Sequence, residues 1–123
     1  MHEPCKRLLM SNRRLVISPL VLAEVDYLAA KIVGIDAELA MLSELSAGAY
    51  ELASLDRVDL IRTRAVVERY RDLPLGLTDA SLVVLAHRYE TDSIATLDER
   101  HFRVVQSLKG RPFAILPADR SPA

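Results

Sequence analysis

Three carboxylates in this chain stand where a carboxylate can do chemistry. Asp98 closes the run SIATL at 93–97. Strand side chains alternate between faces, so Thr96 falls on the same side as Asp98, and a hydroxyl and a carboxylate emerge together at the carboxyl end of a predicted strand. Asp79 falls in the first turn of a predicted helix directly after the loop LPLGLT. There, backbone N–H groups and the helix dipole favour its ionised form. Glu24 interrupts the most apolar stretch of the chain, flanked by Leu20, Val21, Val25 and Leu28, where an unpaired charge is expensive and needs compensation. Each acid also has a plainer explanation. Asp79 can simply support a helix terminus, Asp98 can be a turn former, and Glu24 can have its own arginine or face solvent along a stripe. Asp56 and Asp59 read as helix capping. Taken together, Glu24, Asp79 and Asp98 make a different case. Two or three converging carboxylates offset their mutual repulsion by holding a hard divalent cation such as Mg²⁺ or Mn²⁺. Such an ion lowers the pKa of a water and stabilises the charge that develops on a phosphodiester under attack.

No other recognisable catalyst competes. His2, His87 and His101 lack the paired spacing of a zinc site, and His87 reads as a helix-surface residue. The four glycines are isolated, so there is no phosphate-cradling loop, and no GxSxG elbow occurs. The single cysteine, Cys5, cannot form an internal disulfide, which fits a reducing, cytoplasmic setting.

The elements that must position these acids alternate. Residues 15–18 (LVIS) form a short β-branched run ending at Ser18-Pro19, a serine N-cap followed by a proline at the first helical position. The helix that follows, LVLAEVDYLAAKIV, is apolar nearly all round, is expected to be buried on most sides, and stops at Gly34. A second helix spans 36–46, and 50–54 (YELAS) alternates weakly as a strand. From Asp56, the segment DRVDLIRTRAVVERYRDL is an amphipathic helix with Val58, Ile61, Ala65, Val66 and Tyr70 on its apolar face. Arg57, Arg62, Arg64, Arg69 and Arg71 lie along its other side, read as a solvated face with helical salt bridges. After Pro74 and Gly76, Thr78 is the expected cap of a helix over 79–90, with a core face of Leu82, Leu85, Ala86 and Tyr89. A strand at 93–97, an edge strand at 113–116 (FAIL) and a polar tail at 117–123, expected to be mobile, complete the chain. Short buried strands alternating with helices predict an α/β fold, with a parallel sheet covered by helices on both faces.

Composition sets the outer bounds. At 123 residues, half of them hydrophobic, the chain is expected to form one domain over 1–123 with enough apolar material for a real core. The 16 Lys and Arg against 17 Asp and Glu give a formal charge of −1, without the basic field of a non-specific duplex-DNA binder. All the basic residues except Lys6, Lys31 and Lys109 are arginine, the side chain that forks onto phosphate and stacks on bases, which is compatible with RNA. No apolar run approaches the roughly 20 residues of a transmembrane helix, and the first residues lack the apolar stretch of a signal peptide, so no membrane partner is expected.

The segments LVISPLVLAEVDYLAAKIVG, LPLGLTDASLVVLAHRYETDSIATLDERHF and the closing FAILP resemble the PIN-domain family, specifically VapC-type toxins of bacterial toxin-antitoxin pairs. The likeness spans nearly the whole chain. It rests on the combination of an LAEV helix, an LTDA helix start and an IATLD strand end. It implies a three-layer domain with a mostly parallel central sheet, and a Mg²⁺- or Mn²⁺-dependent endoribonuclease that is neutralised by a cognate antitoxin and is commonly a homodimer. The family's acids fall on Glu24, Asp79 and Asp98 by those three motifs, and Thr96 matches the small hydroxyl residue that accompanies the last acid. One departure stands out. PIN domains open with a strand ending in an aspartate, in a pattern like V-D-T-S, before a stretch similar to HEPCKRLL, which here begins at His2. The resemblance therefore implies that the first strand and first acid are lacking. Either a longer form starts roughly 20 residues upstream, or a truncated domain serves as a non-catalytic module for antitoxin binding or dimerisation.

Overall fold

The computed structural model describes residues 15–48, 50–95 and 101–116. They fall into two compact units, Arg14–Ser54 and Leu55–Ala123. Thr96, Asp98 and the 117–123 tail lie outside the described residues.

In the first unit, strand β1 (Val16–Ile17) leads directly into helix α1 (Pro19–Leu28). The junction is the predicted one. Ser18 is the N-cap and its Oγ accepts the Leu20 N–H at 3.2 Å, while Pro19 occupies the first helical position, where no backbone donor is required. α1 continues into a π-helical turn, Ala29–Val33, which Gly34 closes with φ +126° and an N–H bond of 3.0 Å to the Ala29 carbonyl. Helix α2 (Ile35–Ser46) follows, and then strand β2 (Glu51–Leu52), which pairs with β1 in parallel, Val16 opposite Glu51 and Ile17 opposite Leu52. Parallel neighbours need a long crossover. The helices between β1 and β2 supply it.

The expectation that the helix at 20–33 is buried on most sides is corrected. None of α1's residues is buried, and in the π turn Ile32 is 75 % exposed. Apolar residues all round a helix need partners all round it, and among the described residues of this unit α1 and its π turn have one further helix and two short strands. Within the same unit, a hydrogen bond with Asp26 and then the repulsion of that second carboxylate push the Glu38 carboxyl above its ordinary range. One Asp26 oxygen, Oδ1, is buried without a hydrogen-bond partner among the described residues.

The second unit opens with helix α3 (Arg57–Arg69), and both aspartates perform the predicted capping. The Asp59 N–H bonds Asp56 Oδ1 at 2.9 Å, and the Asp56 N–H bonds Asp59 Oδ2 at 3.0 Å. The Asp59 amide holds the Asp56 carboxyl below its ordinary range. The predicted apolar face of α3 is rotated. Asp59, Thr63 and Val66 are the buried positions, whereas Val58 and Ile61 are exposed, Ile61 by 64 %. Polar side chains can take the inner face because their needs are met there. Thr63 Oγ1 donates to the Asp59 carbonyl at 2.7 Å, and Asp59 Oδ2, on a side chain only 7 % exposed, also receives Arg88 at 3.0 Å. On the outer face, Arg64 pairs with Glu68 at 2.9 Å across one helical turn.

α3 packs on helix α4 (Gly76–Arg88). Thr78 is not its cap. The chain enters the helix at Gly76, whose φ of +78° suits a residue without Cβ, and Leu75 precedes it with no side-chain cap. α4 is buried on nearly every side, through Ala80, Ser81, Val83, Val84, Leu85 and Ala86, rather than along the narrower predicted stripe. Ser81 is tolerated there because its hydroxyl donates to the Thr78 carbonyl at 2.6 Å. Strands β3 (Ser93–Ala95) and β4 (Ala114–Leu116) pair in parallel, with Ile94 opposite Ile115. Phe102 and Phe113 meet edge to face, centroids 6.0 Å apart, and close the core around the fully buried Ile115. Parallel pairing in both units, together with the helices that join β1 to β2 and precede β3, makes the fold α/β as predicted. No helix among the described residues is long and apolar enough to cross a membrane.

Two outcomes follow from this packing. Ile115→Ala should lower the unfolding free energy by about 2–5 kcal/mol, measured by chemical denaturation. Glu38 has a folded pKa above its unfolded value. Its protonated form therefore contributes stability that is complete below about pH 4.5 and is lost as pH rises through the folded value. Glu38→Gln cannot ionise, so thermal melts should show it more stable than wild type at pH 7, with the difference shrinking toward pH 4. A difference that does not change with pH contradicts the carboxylate pairing.

Candidate active site

Asp79 is where the sequence places it, in the first turn of α4, just as that helix begins to sink into the core. Its neighbour Ala80 is fully buried, while its own side chain keeps 34 % of its surface exposed. The carboxylate thus stands at a rim, with solvent access on one side and the helix N-terminus behind it. The dipole at that end favours its negative charge.

His101 faces it. Its Nδ1 lies 2.8 Å from Asp79 Oδ2, and its side chain is 22 % exposed. With the carboxylate oxygen as acceptor, the contact is made by the tautomer that carries its proton on Nδ1. His101 begins the turn that leads into β4. Its carbonyl accepts the Val104 and Val105 N–H groups at 3.1 and 3.0 Å, and the next residue, Phe102, is buried in the core. The backbone that carries the ring is therefore held in place. The pairing spans 22 residues of sequence. The spacing rules for zinc ligands do not reveal it. The available signal is the run DERHF, which sets a histidine three residues beyond Asp98. His87, read as a helix-surface residue, is half-buried in the last turn of α4.

Glu24 lies on α1 and is exposed, so the desolvation cost anticipated for it does not arise. It lines a shallow groove of about 410 Å³ together with Ala23, Tyr27 and Leu28. Glu24 and Asp79 belong to different compact units. Thr96 and Asp98 lie outside the described residues. Among the described residues, no three His, Cys, Asp or Glu side chains cluster closely enough to hold a metal ion. The donor chemistry nevertheless suits a hard cation: Asp79 offers carboxylate oxygen at a partly exposed rim, the ligand type that Mg²⁺ and Mn²⁺ take.

An α/β fold with an acid at the start of a core helix narrows the field, and comparison with known proteins decides the family. Residues 1–107 match the family described as PIN domain. This chain belongs to the PIN-domain family. The PIN domain is 48 % identical over 103 residues, 84 % of its own length and 76 % of the relative's, to Ribonuclease VapC26 of Mycobacterium tuberculosis. The family likeness carried by the LAEV, LTDA and IATLD motifs is thereby established for most of the chain, and the relative places this PIN domain among the VapC type.

Proposed function

We propose that this PIN domain is a metal-dependent endoribonuclease, the toxin component of a type II toxin-antitoxin pair, acting in the cytoplasm on RNA phosphodiester bonds. The observation that carries the reading is its 48 % identity, over most of both chains, to a protein named as a ribonuclease. The position of Asp79 supports it: a carboxylate in the first turn of a core helix, with 34 % of its side chain exposed, remains open to a ligand.

In this reading Asp79 and Asp98 hold Mg²⁺ or Mn²⁺ directly or through water, and Glu24 completes the acidic pocket. Thr96 stands two residues before Asp98 in the sequence, a spacing that on the predicted strand sets both on one face. Bound there, the ion supplies an activated water for attack on phosphorus and charge stabilisation at the leaving oxygen. The chain's own residues do the positioning. The first turn of α4 fixes the backbone of Asp79 against the core. Arg103 and Arg100 follow the last acid closely and suit an RNA backbone, as forked guanidinium groups do.

A cognate antitoxin and a second copy of the chain are the proposed protein partners. Tyr27, Ile32, Val33, Ile35 and Leu39 are exposed apolar residues of the first unit, more than isolated surface hydrophobics require. The same feature favours a second reading, a non-catalytic module that binds antitoxin or dimerises.

Cleavage assays separate the two. The purified chain incubated with RNA and Mn²⁺ should cut it, EDTA should stop the reaction, and Asp79→Asn should lower the rate by at least about 100-fold, a loss of roughly 2.7 kcal/mol of transition-state stabilisation. Absent or metal-independent cleavage overturns the enzyme reading and leaves the binding module.

A further inference from the structure

We propose that His101 is the positioning residue of Asp79: its Nδ1–H fixes the carboxylate so that the remaining oxygen is presented to a divalent cation in one orientation. The inference rests on the reading of Asp79 as a metal-binding acid and adds a residue that the acidic motif does not contain. The geometry carries it. The contact is short, 2.8 Å, and joins two partly covered side chains rather than two solvated ones. Its two ends are anchored independently. Asp79 is anchored by α4, where Ala80 and Ser81 are fully buried, and His101 by the turn whose Phe102 and Val105 are in the core.

A free aspartate carboxylate rotates broadly about its terminal torsion. One hydrogen bond to Oδ2 restricts that rotation and thereby sets where Oδ1 lies. Ordering the ligand before the ion binds removes an entropic cost from binding, and the loss of such supporting partners typically weakens metal affinity by about 10- to 100-fold. A hydrogen bond serving only stability has no such consequence.

The test is Mn²⁺ binding to the full chain, measured by calorimetry with manganese chloride, with thermal melting of the ion-free protein alongside. His101→Phe keeps a ring of similar size and removes the donor. His101→Asn places an amide N–H about where Nδ1 stands, and His101→Gln places it one bond further out. Expected are a 10- to 100-fold weaker Kd for His101→Phe, a Kd within about three-fold of wild type for His101→Asn, and near-complete loss for Asp79→Asn. A wild-type Kd in His101→Phe, with binding lost in Asp79→Asn, overturns the role of His101 and leaves Asp79 as a ligand. Unchanged binding in Asp79→Asn, or no binding by wild type, overturns the metal reading and this inference with it. If His101→Phe does not fold, the amide pair decides. Weaker binding in His101→Gln than in His101→Asn supports positioning, and equal affinities overturn it.

Discussion

The near-complete burial of α4 is the constraint from which the Leu55–Ala123 unit takes its form. A helix that presents Ala80, Val83, Val84, Leu85 and Ala86 to the interior has few directions left for polar groups. Its only buried hydroxyl, Ser81, must turn back onto its own backbone. Unsatisfied polar groups inside such a helix cost about 1–3 kcal/mol each, so chemistry can be placed only where burial ends. Asp79 occupies that place. The neighbouring elements conform to the same helix: α3 packs along it, β3 follows it, and the turn at 101–104 brings His101 back to its first turn.

Electrostatics reinforce both ends of this arrangement. At the start of α4 the charge of Asp79 faces the helix dipole and a single imidazole donor. At its end, Arg88 reaches Asp59 of α3, an acid already engaged in a capping box. Asp59 therefore serves three partners at once: its own helix terminus through the Asp56 amide, the guanidinium of a neighbouring helix, and the interior face that it helps to fill. A nearly buried carboxylate with fewer bonds would be costly. With these bonds it ties the N-terminus of α3 to the C-terminus of α4.

Much of this was legible in the residues. Ser18-Pro19, Asp56 with Asp59, and Gly34 act through local chemistry, so their positions mark helix ends whatever surrounds them. The family likeness rests on the same kind of local signal, in LAEV, LTDA and IATLD. Thr78 imitates a cap because a threonine stands before an apolar run, whereas Gly76, with its positive φ, lets the helix begin three residues before Asp79. The face of α3 is not legible from polarity, because Asp59 and Thr63 are polar and buried. What makes their burial tolerable is a set of bonds, one of them to Arg88, 29 residues away. His101 belongs with these. Its value lies in a contact across the fold, and no spacing rule links it to Asp79.

The central claim is that Asp79, Asp98 and Glu24 act together on one divalent ion. Crystals soaked in manganese chloride and measured at a wavelength where Mn scatters anomalously test it most directly. The account predicts one strong anomalous peak within coordination distance of the Asp79 carboxylate, with Asp98 also ligating and Glu24 reaching the ion directly or through one water. A peak elsewhere, or an ordered protein in which the three side chains bind no common ion, would contradict it.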